Sequence, residues 1–171
     1  MSSNFQENPI KKLKGYKFID IDKNVSDIPN TTGVYIWILK ENSTLPSIAG
    51  VQPSFNWVEI NNSKYRVLYV GLAKDENLTD RILGFHLKGN PRSSTLCYSI
   101  ASILELPLYG KVENSGKRRI QLDKKYWKNV SDWLKTNCFL LVRFFFAKLT
   151  FISLYPFIGL WYFRPIGTPV C

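Results

Sequence analysis

Few residue types in this chain could do chemistry. One histidine and three scattered cysteines cannot form a histidine-rich zinc site, and no GxSxG, GxxxxGKS, GxGxxG or HExxH pattern occurs. The groups that remain are tyrosine, arginine, the single His86 and an excess of positive charge. They suit phosphate chemistry, because an arginine aimed at the oxygens of a phosphodiester stabilises the negative charge that develops during attack on phosphorus.

The positive charge is concentrated in one segment. The chain carries 23 Lys and Arg against 13 Asp and Glu, a formal net charge of +10. Residues 111–148 hold ten of the basic residues and only three acidic ones. This charge favours a polyanion or an acidic membrane surface as partner, and a merely solvated basic face is the alternative. We predict that DNA phosphates are bound by six closely spaced cations: Lys117, Arg118, Arg119, Lys124, Lys125 and Lys128.

Two short motifs combine glycine and tyrosine at the ends of predicted strands. Residues 33–39 (GVYIWIL) and 65–71 (YRVLYVG) are β-branched and aromatic runs, which predict two strands. If the strands pair antiparallel, GVY lies beside YVG. Arg81 follows ten positions after Gly71 on a predicted helix. Each triplet alone is a weak signal, since such residues are good strand formers, and the ordered combination is more specific.

This combination resembles the GIY-YIG nuclease family. The triplets stand as GVY at 33–35 and YVG at 69–71, and the helical arginine stands as Arg81 in LTDRILGFH. A following basic or aromatic position stands as His86. The segments SSTLCYSIASIL and CFLLVRFFF are similar to the family's second helix and third strand. The resemblance covers about residues 28–146.

The resemblance implies both a fold and an activity. The fold is α/β, a small antiparallel sheet of about three strands flanked by helices. The activity is hydrolysis of DNA phosphodiester bonds with one divalent ion, Mg²⁺ or Mn²⁺. Arg81 would stabilise charge on the phosphate, Tyr35 would activate or orient the attacking water, and Tyr69 would help to hold water or phosphate. The alternatives are a surface ion pair for Arg81 and core packing for the tyrosines.

His86 and two glycines complete the predicted site. His86 lies five positions after Arg81, about 140° round an α-helix, so it shares the site only if the helix frays there or reaches over the phosphate. Gly33 and Gly71 are candidate substrate-binding residues, and Gly71 would permit a close approach of the backbone to the substrate. The alternatives are a solvated histidine and an ordinary strand-ending glycine.

The chain departs from the family pattern at the metal ligand. The family holds its metal with a glutamate on a helix after the third strand, and no Asp or Glu follows Asp132 in this sequence. Without a carboxylate, a hard cation has no fixed ligand. Glu105 is the nearest substitute by residue type, although it belongs to a different predicted helix. We therefore predict a poor or inactive nuclease.

The remaining elements must position these residues. We divide the chain into an N-terminal extension (1–27), the GIY-YIG-like domain (28–146) with an insertion at about 40–63, and an apolar tail (147–171) that does not form the family's closing helix. The insertion has room for its own strand at 55–60. Further along, the pattern predicts a helix from Asn77 that Asn77 or Thr79 caps, and a second helix that opens at Ser93 or Ser94. It then predicts a hairpin over 109–122, a helix over 123–136 and a strand over 138–146.

Three functions follow from these observations. The first is a DNA endonuclease, and the second is a nucleic-acid-binding domain that keeps the nuclease fold without cleavage. The third is a membrane protein anchored by 149–163, which is disfavoured because these 15 uncharged residues are fewer than the roughly 20 that span a bilayer. No small-molecule cofactor is expected. Three widely spaced cysteines and the absence of a secretion signal predict a reducing, cytoplasmic location.

Overall fold

The computed structural model describes residues 11–46, 55–88, 94–112 and 118–145. In chain order, its strands are β1 (Lys11–Lys12), β2 (Lys17–Ile19), β3 (Gly33–Leu39), β4 (Asn56–Ile60), β5 (Ser63–Ala73), β6 (Leu108–Val112), β7 (Arg118–Leu122) and β8 (Cys138–Phe144). The helices are a π-helix (Asp80–Leu87), α1 (Thr95–Ile103) and α2 (Trp127–Asn137). Short 3₁₀ turns lie at Val25–Asp27 and Lys124–Tyr126.

One sheet forms the centre of the domain, with the strand order β1-β4-β5-β3-β8-β2. All pairings are antiparallel except that of β1 with β4 at one edge. The three predicted strands are β3, β5 and β8, and they are neighbours at the middle of the sheet. The described sheet has six strands rather than about three, because residues 11–19 add β1 and β2 and residues 56–60 add β4.

The central strand β3 is buried along its whole length. Successive side chains of a strand point to opposite faces. Tyr35 and Trp37 belong to the core that the helices cover, whereas Ile36 and Ile38 belong to a second apolar cluster. Burial on both faces explains why the GVYIWIL run contains no charged residue.

A tight hairpin joins β4 and β5, and it confirms the strand that the sequence predicts inside the insertion. Asn61 and Asn62 form its turn, and both have a positive φ, 50° and 65°. Asparagine tolerates this conformation, which two-residue turns of type I′ require. The hairpin places β5 beside β3 with Gly71 opposite Tyr35.

Side chains cap the helices where the sequence predicts their starts. Asn77 accepts a hydrogen bond from the backbone N–H of Asp80 at 2.6 Å. Ser94 accepts one from the N–H of Cys97 at 3.1 Å, at the beginning of α1. Asp123 accepts one from the N–H of Lys125 at 3.2 Å, ahead of α2. The predicted hairpin over 109–122 is confirmed as the β6–β7 pair, with its turn outside the described residues.

The predictions for the tail (147–171), including the membrane alternative, lie outside the described residues. Among the helices that the structure does describe, none has the length and apolar character needed to cross a membrane.

Candidate active site

Three predicted site residues meet on the face of the sheet that the helices cover. The Tyr35 hydroxyl on β3 lies 2.8 Å from Nε2 of His86, and Nε of Arg81 donates to the same hydroxyl at 3.3 Å. The ring of Tyr69, on β5, lies 6.1 Å from the ring of Tyr35 and 6.0 Å from that of His86. The two GIY-YIG tyrosines, the arginine and the histidine therefore form one cluster.

The π-helix brings Arg81 and His86 to the same hydroxyl. A π-helix closes its turns between a residue and the fifth one after it, as in the bond from the N–H of Lys88 to the carbonyl of Leu83 at 2.6 Å. Residues five apart therefore lie nearly above one another. The separation of about 140° expected for an α-helix was wrong, and no fraying is needed. π-Helical turns are rare in proteins as a whole, and those that occur are often found at functional sites.

Exposure distinguishes the members of the cluster. Tyr35 and His86 are buried, with 0% and 1% of their surface exposed. The Arg81 side chain is 20% exposed. Tyr69 is also partly exposed. Arg81 and Tyr69 are thus the members of the cluster that border solvent, and Arg81 is the one that is hydrogen-bonded to the buried Tyr35. Tyr35 is packed in the core, as the alternative interpretation of this residue expected. Its hydroxyl is nevertheless hydrogen-bonded to His86 and Arg81.

The two motif glycines make room for protein atoms. A Cβ added to Gly71 would overlap the Tyr35 ring and hydroxyl, because Tyr35 lies directly across from it in the sheet. A Cβ on Gly33 would collide with the Arg143 carbonyl and lie 2.9 Å from the Leu78 side chain. The space beside Gly71 is filled by the Tyr35 side chain, whereas the sequence led us to expect the substrate there.

Glu76 also belongs to the site, and sequence reasoning missed it. Its carboxylate lies 3.0 Å from Nη1 of Arg81. Arg81 is therefore held at two points of its planar guanidinium, Nε by Tyr35 and Nη1 by Glu76. Glu76 stands in the short turn after β5 in no recognisable motif, and only its nearness to Arg81 in the sequence could have suggested it.

The buried side chain of Ser94 contacts the cluster at the other ring nitrogen of His86. Nδ1 of His86 lies 2.6 Å from the hydroxyl of Ser94, the cap of α1. Burial, with a smaller contribution from Arg81, lowers the pKa of His86 to about 3. Burial and the neighbouring Tyr69 raise the pKa of Tyr35, although contacts with Arg81 oppose this. At neutral pH the imidazole and the phenol are therefore both uncharged.

The buried neutral histidine predicts a pH-dependent stability. Unfolding restores the ordinary His86 pKa of 6.5, so between about pH 3 and 6.5 the unfolded chain binds a proton that the folded chain does not. The free energy of unfolding is expected to fall by about 1.4 kcal/mol per pH unit below about 6.5. Urea unfolding at pH 6.0 and 4.5 measures this change. The free energy of unfolding should fall less between these two pH values in His86→Gln than in the parent, because the variant lacks the histidine that takes up the proton. Equal slopes would contradict a buried neutral His86.

The described residues do not fit the divalent ion that the family implies. Over residues 11–46, 55–88, 94–112 and 118–145, no three His, Cys, Asp or Glu side chains are grouped so that they could hold a metal. Glu105 is exposed in the turn after α1 and joins no such group. Mg²⁺ is usually held by one or two carboxylates together with waters and substrate phosphates. The carboxylate at this cluster, that of Glu76, is engaged by Arg81 instead.

The predicted DNA-binding cations are only partly described. Lys124, Lys125 and Lys128 are exposed on the turn leading into α2 and on its first turns. Lys125 lies 3.8 Å from Asp123, and Lys128 forms an ion pair with Asp132. α2 packs against the π-helix that carries Arg81. Lys117 and the side chains of Arg118 and Arg119 lie outside the described part of the chain.

The sheet and its helices form an α/β domain that carries the tyrosine–arginine–histidine cluster. The family model of the GIY-YIG catalytic domain matches residues 33–148. The chain belongs to this family, and the match supports a nuclease-type function for the domain. Comparisons with curated proteins and with solved structures give no significant match.

Proposed function

We propose that this domain acts on DNA as a degenerate endonuclease, which binds the phosphodiester backbone at Arg81 and hydrolyses it poorly. The observation that carries the proposal is the geometry of Arg81. Tyr35 and Glu76 fix its guanidinium at the boundary between core and solvent. A charge that is already oriented needs no reorganisation when negative charge develops on a phosphate, and this is how preorganised donors stabilise a transition state.

The roles of the other site residues follow from their positions. Among the described residues, Tyr35 and Glu76 use Nε and one N–H of Nη1, which leaves N–H groups on Nη1 and Nη2 for phosphate oxygens. Tyr69 stands next to the cluster and would border the phosphate. Tyr35 and His86 are positioning residues, because both are buried and Tyr35 is hydrogen-bonded to Arg81.

We propose weak hydrolysis because the described residues offer few ligands for a metal ion. The family-type reaction needs a divalent ion to neutralise charge on the phosphate, a contribution of several kcal/mol. The described residues supply no group of carboxylates for Mg²⁺ or Mn²⁺, and no acidic residue follows Asp132 in the 171 residues. The same observation favours a second candidate function, a DNA-binding domain that keeps the nuclease fold without cleavage. Measurable cleavage that depends on Arg81 would separate the two.

DNA binding should depend steeply on salt. If Lys117, Arg118, Arg119, Lys124, Lys125 and Lys128 each contact a phosphate, the slope of log K against log salt is about −5. Fluorescence anisotropy with a labelled duplex between roughly 50 and 200 mM salt measures it. Lys128→Gln should reduce the slope by about 1, whereas Lys64→Gln, an exposed lysine outside the segment, should leave it unchanged. Binding that does not vary over this range would refute the proposed interface.

A further inference from the structure

The Ser94 side chain, which caps α1, has two partners. The residue is 0% exposed. The hydroxyl oxygen lies 2.6 Å from Nδ1 of His86 and accepts the backbone N–H of Cys97 at 3.1 Å. The residue therefore joins the cap of a helix to the histidine behind the proposed DNA site.

The partners of the two ring nitrogens, Tyr35 at Nε2 and Ser94 at Nδ1, together decide which nitrogen of His86 carries the hydrogen. Arg81 can only donate, so its Nε–H takes a lone pair of the Tyr35 oxygen. A buried phenol keeps its own hydrogen, because burial disfavours the phenolate. That hydrogen needs an acceptor, and Nε2 of His86 lies 2.8 Å away. A Tyr35 hydroxyl that donates to Nε2 requires that Nε2 carry no hydrogen. The other hydrogen-bond neighbour of this hydroxyl is Tyr69.

The imidazole then has its one hydrogen on Nδ1. A neutral imidazole carries a hydrogen on only one of its nitrogens. His86 is kept neutral by its burial and by the charge of Arg81. With Nε2 accepting from Tyr35, Nδ1–H donates to the Ser94 oxygen. A hydroxyl oxygen has two lone pairs, so it can accept this bond together with the one from Cys97.

We propose that Ser94 is a positioning residue of the Arg81 site: it holds the His86 hydrogen on Nδ1 and so directs the Tyr35 hydroxyl. The hydrogen bonds then run in one direction from Arg81 to Tyr35, from Tyr35 to His86 and from His86 to Ser94. This fixes the Tyr35 lone pair that receives Nε–H of Arg81. The expected effect of Ser94 on DNA binding rests on the proposed function, whereas its effect on the protonation of His86 does not.

Nitrogen NMR tests the inference directly, because the chain has a single histidine. In protein labelled with ¹⁵N-histidine, correlations from ring carbon-bound hydrogens identify Nδ1 and Nε2 without ambiguity. We expect a protonated Nδ1 and an unprotonated Nε2 in the parent chain at neutral pH. Ser94→Ala should convert this signal to a mixture of both forms, and Ser94→Thr, which keeps the hydroxyl, should restore it.

Two outcomes would overturn the inference. One is a parent chain with the hydrogen on Nε2, which would mean that Tyr35 directs its hydroxyl elsewhere, for example to Tyr69. The other is Ser94→Ala with the parent's signal. The first outcome requires no variant, so a failure of Ser94→Ala to fold leaves the test intact.

A matched control separates helix capping from the effect on His86. Asp123→Ala removes the cap ahead of α2 and should leave the His86 signal unchanged. Ser94→Ala is also expected to weaken DNA binding by about tenfold, the effect of about one lost hydrogen bond, with an unchanged salt slope. If the tautomer is as proposed but Arg81→Ala binds DNA like the parent, the proposed function fails and the role of Ser94 towards His86 stands.

Discussion

Arg81→Ala is expected to reduce any DNA cleavage by on the order of 100-fold or more, the loss typical of a preorganised charge contact at a reacting phosphate. The fold should survive, because the Arg81 side chain borders solvent and its ion pair with Glu76 is also partly exposed. The ion pair with Glu76 and the hydrogen bond to Tyr35 contribute roughly 1 kcal/mol each, so the melting temperature should fall by about 4–8 °C while the protein stays folded. Cleavage by the purified variant and its thermal unfolding provide the two measurements.

Arg81→Lys is the matched control for charge. Lysine keeps the positive charge, but its compact ammonium cannot bridge Tyr35 and Glu76 as the planar guanidinium does. It should recover most of the non-specific DNA affinity and little of any cleavage. If Arg81→Ala binds and cleaves DNA like the parent, Arg81 is not the phosphate-binding residue.

Gly71→Ala is expected to be strongly destabilising although it adds one methyl group. The methyl would occupy the space of the Tyr35 ring and hydroxyl. Overpacking of a core costs about 1–3 kcal/mol, and moving Tyr35 would also disturb its contacts with Arg81 and His86. Urea unfolding should show the loss of stability, and the His86 nitrogen signal should change in whatever fraction remains folded.

Gly110→Ala provides the comparison for Gly71→Ala. Gly110 is also a strand glycine, and a Cβ there meets nothing within 4 Å. Its replacement should be neutral or slightly stabilising, because alanine loses less backbone entropy on folding. If both variants unfold at the parent's urea concentration, the tight packing of Tyr35 over Gly71 is wrong.

The sequence predicts the central architecture well because the relevant signals are local. The runs that became β3, β5 and β8 are long and apolar, and the caps at Asn77 and Ser94 are side chains next to helix starts. In contrast, β1 and β2 contain only two and three residues. A strand this short has no measurable periodicity, and its pairing is decided by distant residues.

The site is less predictable than the fold because it depends on geometry between elements. Tyr35, Arg81 and His86 could be named from their motif, but the π-helical backbone that unites Arg81 with His86 has no sequence signature. Glu76 and Ser94 have ordinary roles in sequence, a turn residue and a helix cap. Only the folded chain places them at the ends of the hydrogen-bonded cluster.

Plasmid nicking with Mg²⁺ or Mn²⁺ beside an EDTA control is the most direct test of a DNA-binding nuclease domain with a deficient metal site. The same preparation must bind the plasmid at the salt concentration used, so that inactivity is not mistaken for lack of binding. We expect bound DNA and, at most, slow nicking that Arg81→Ala removes. Rapid nicking that requires the metal would contradict the proposal, because the chain would then hold the ion with carboxylates outside the cluster described above.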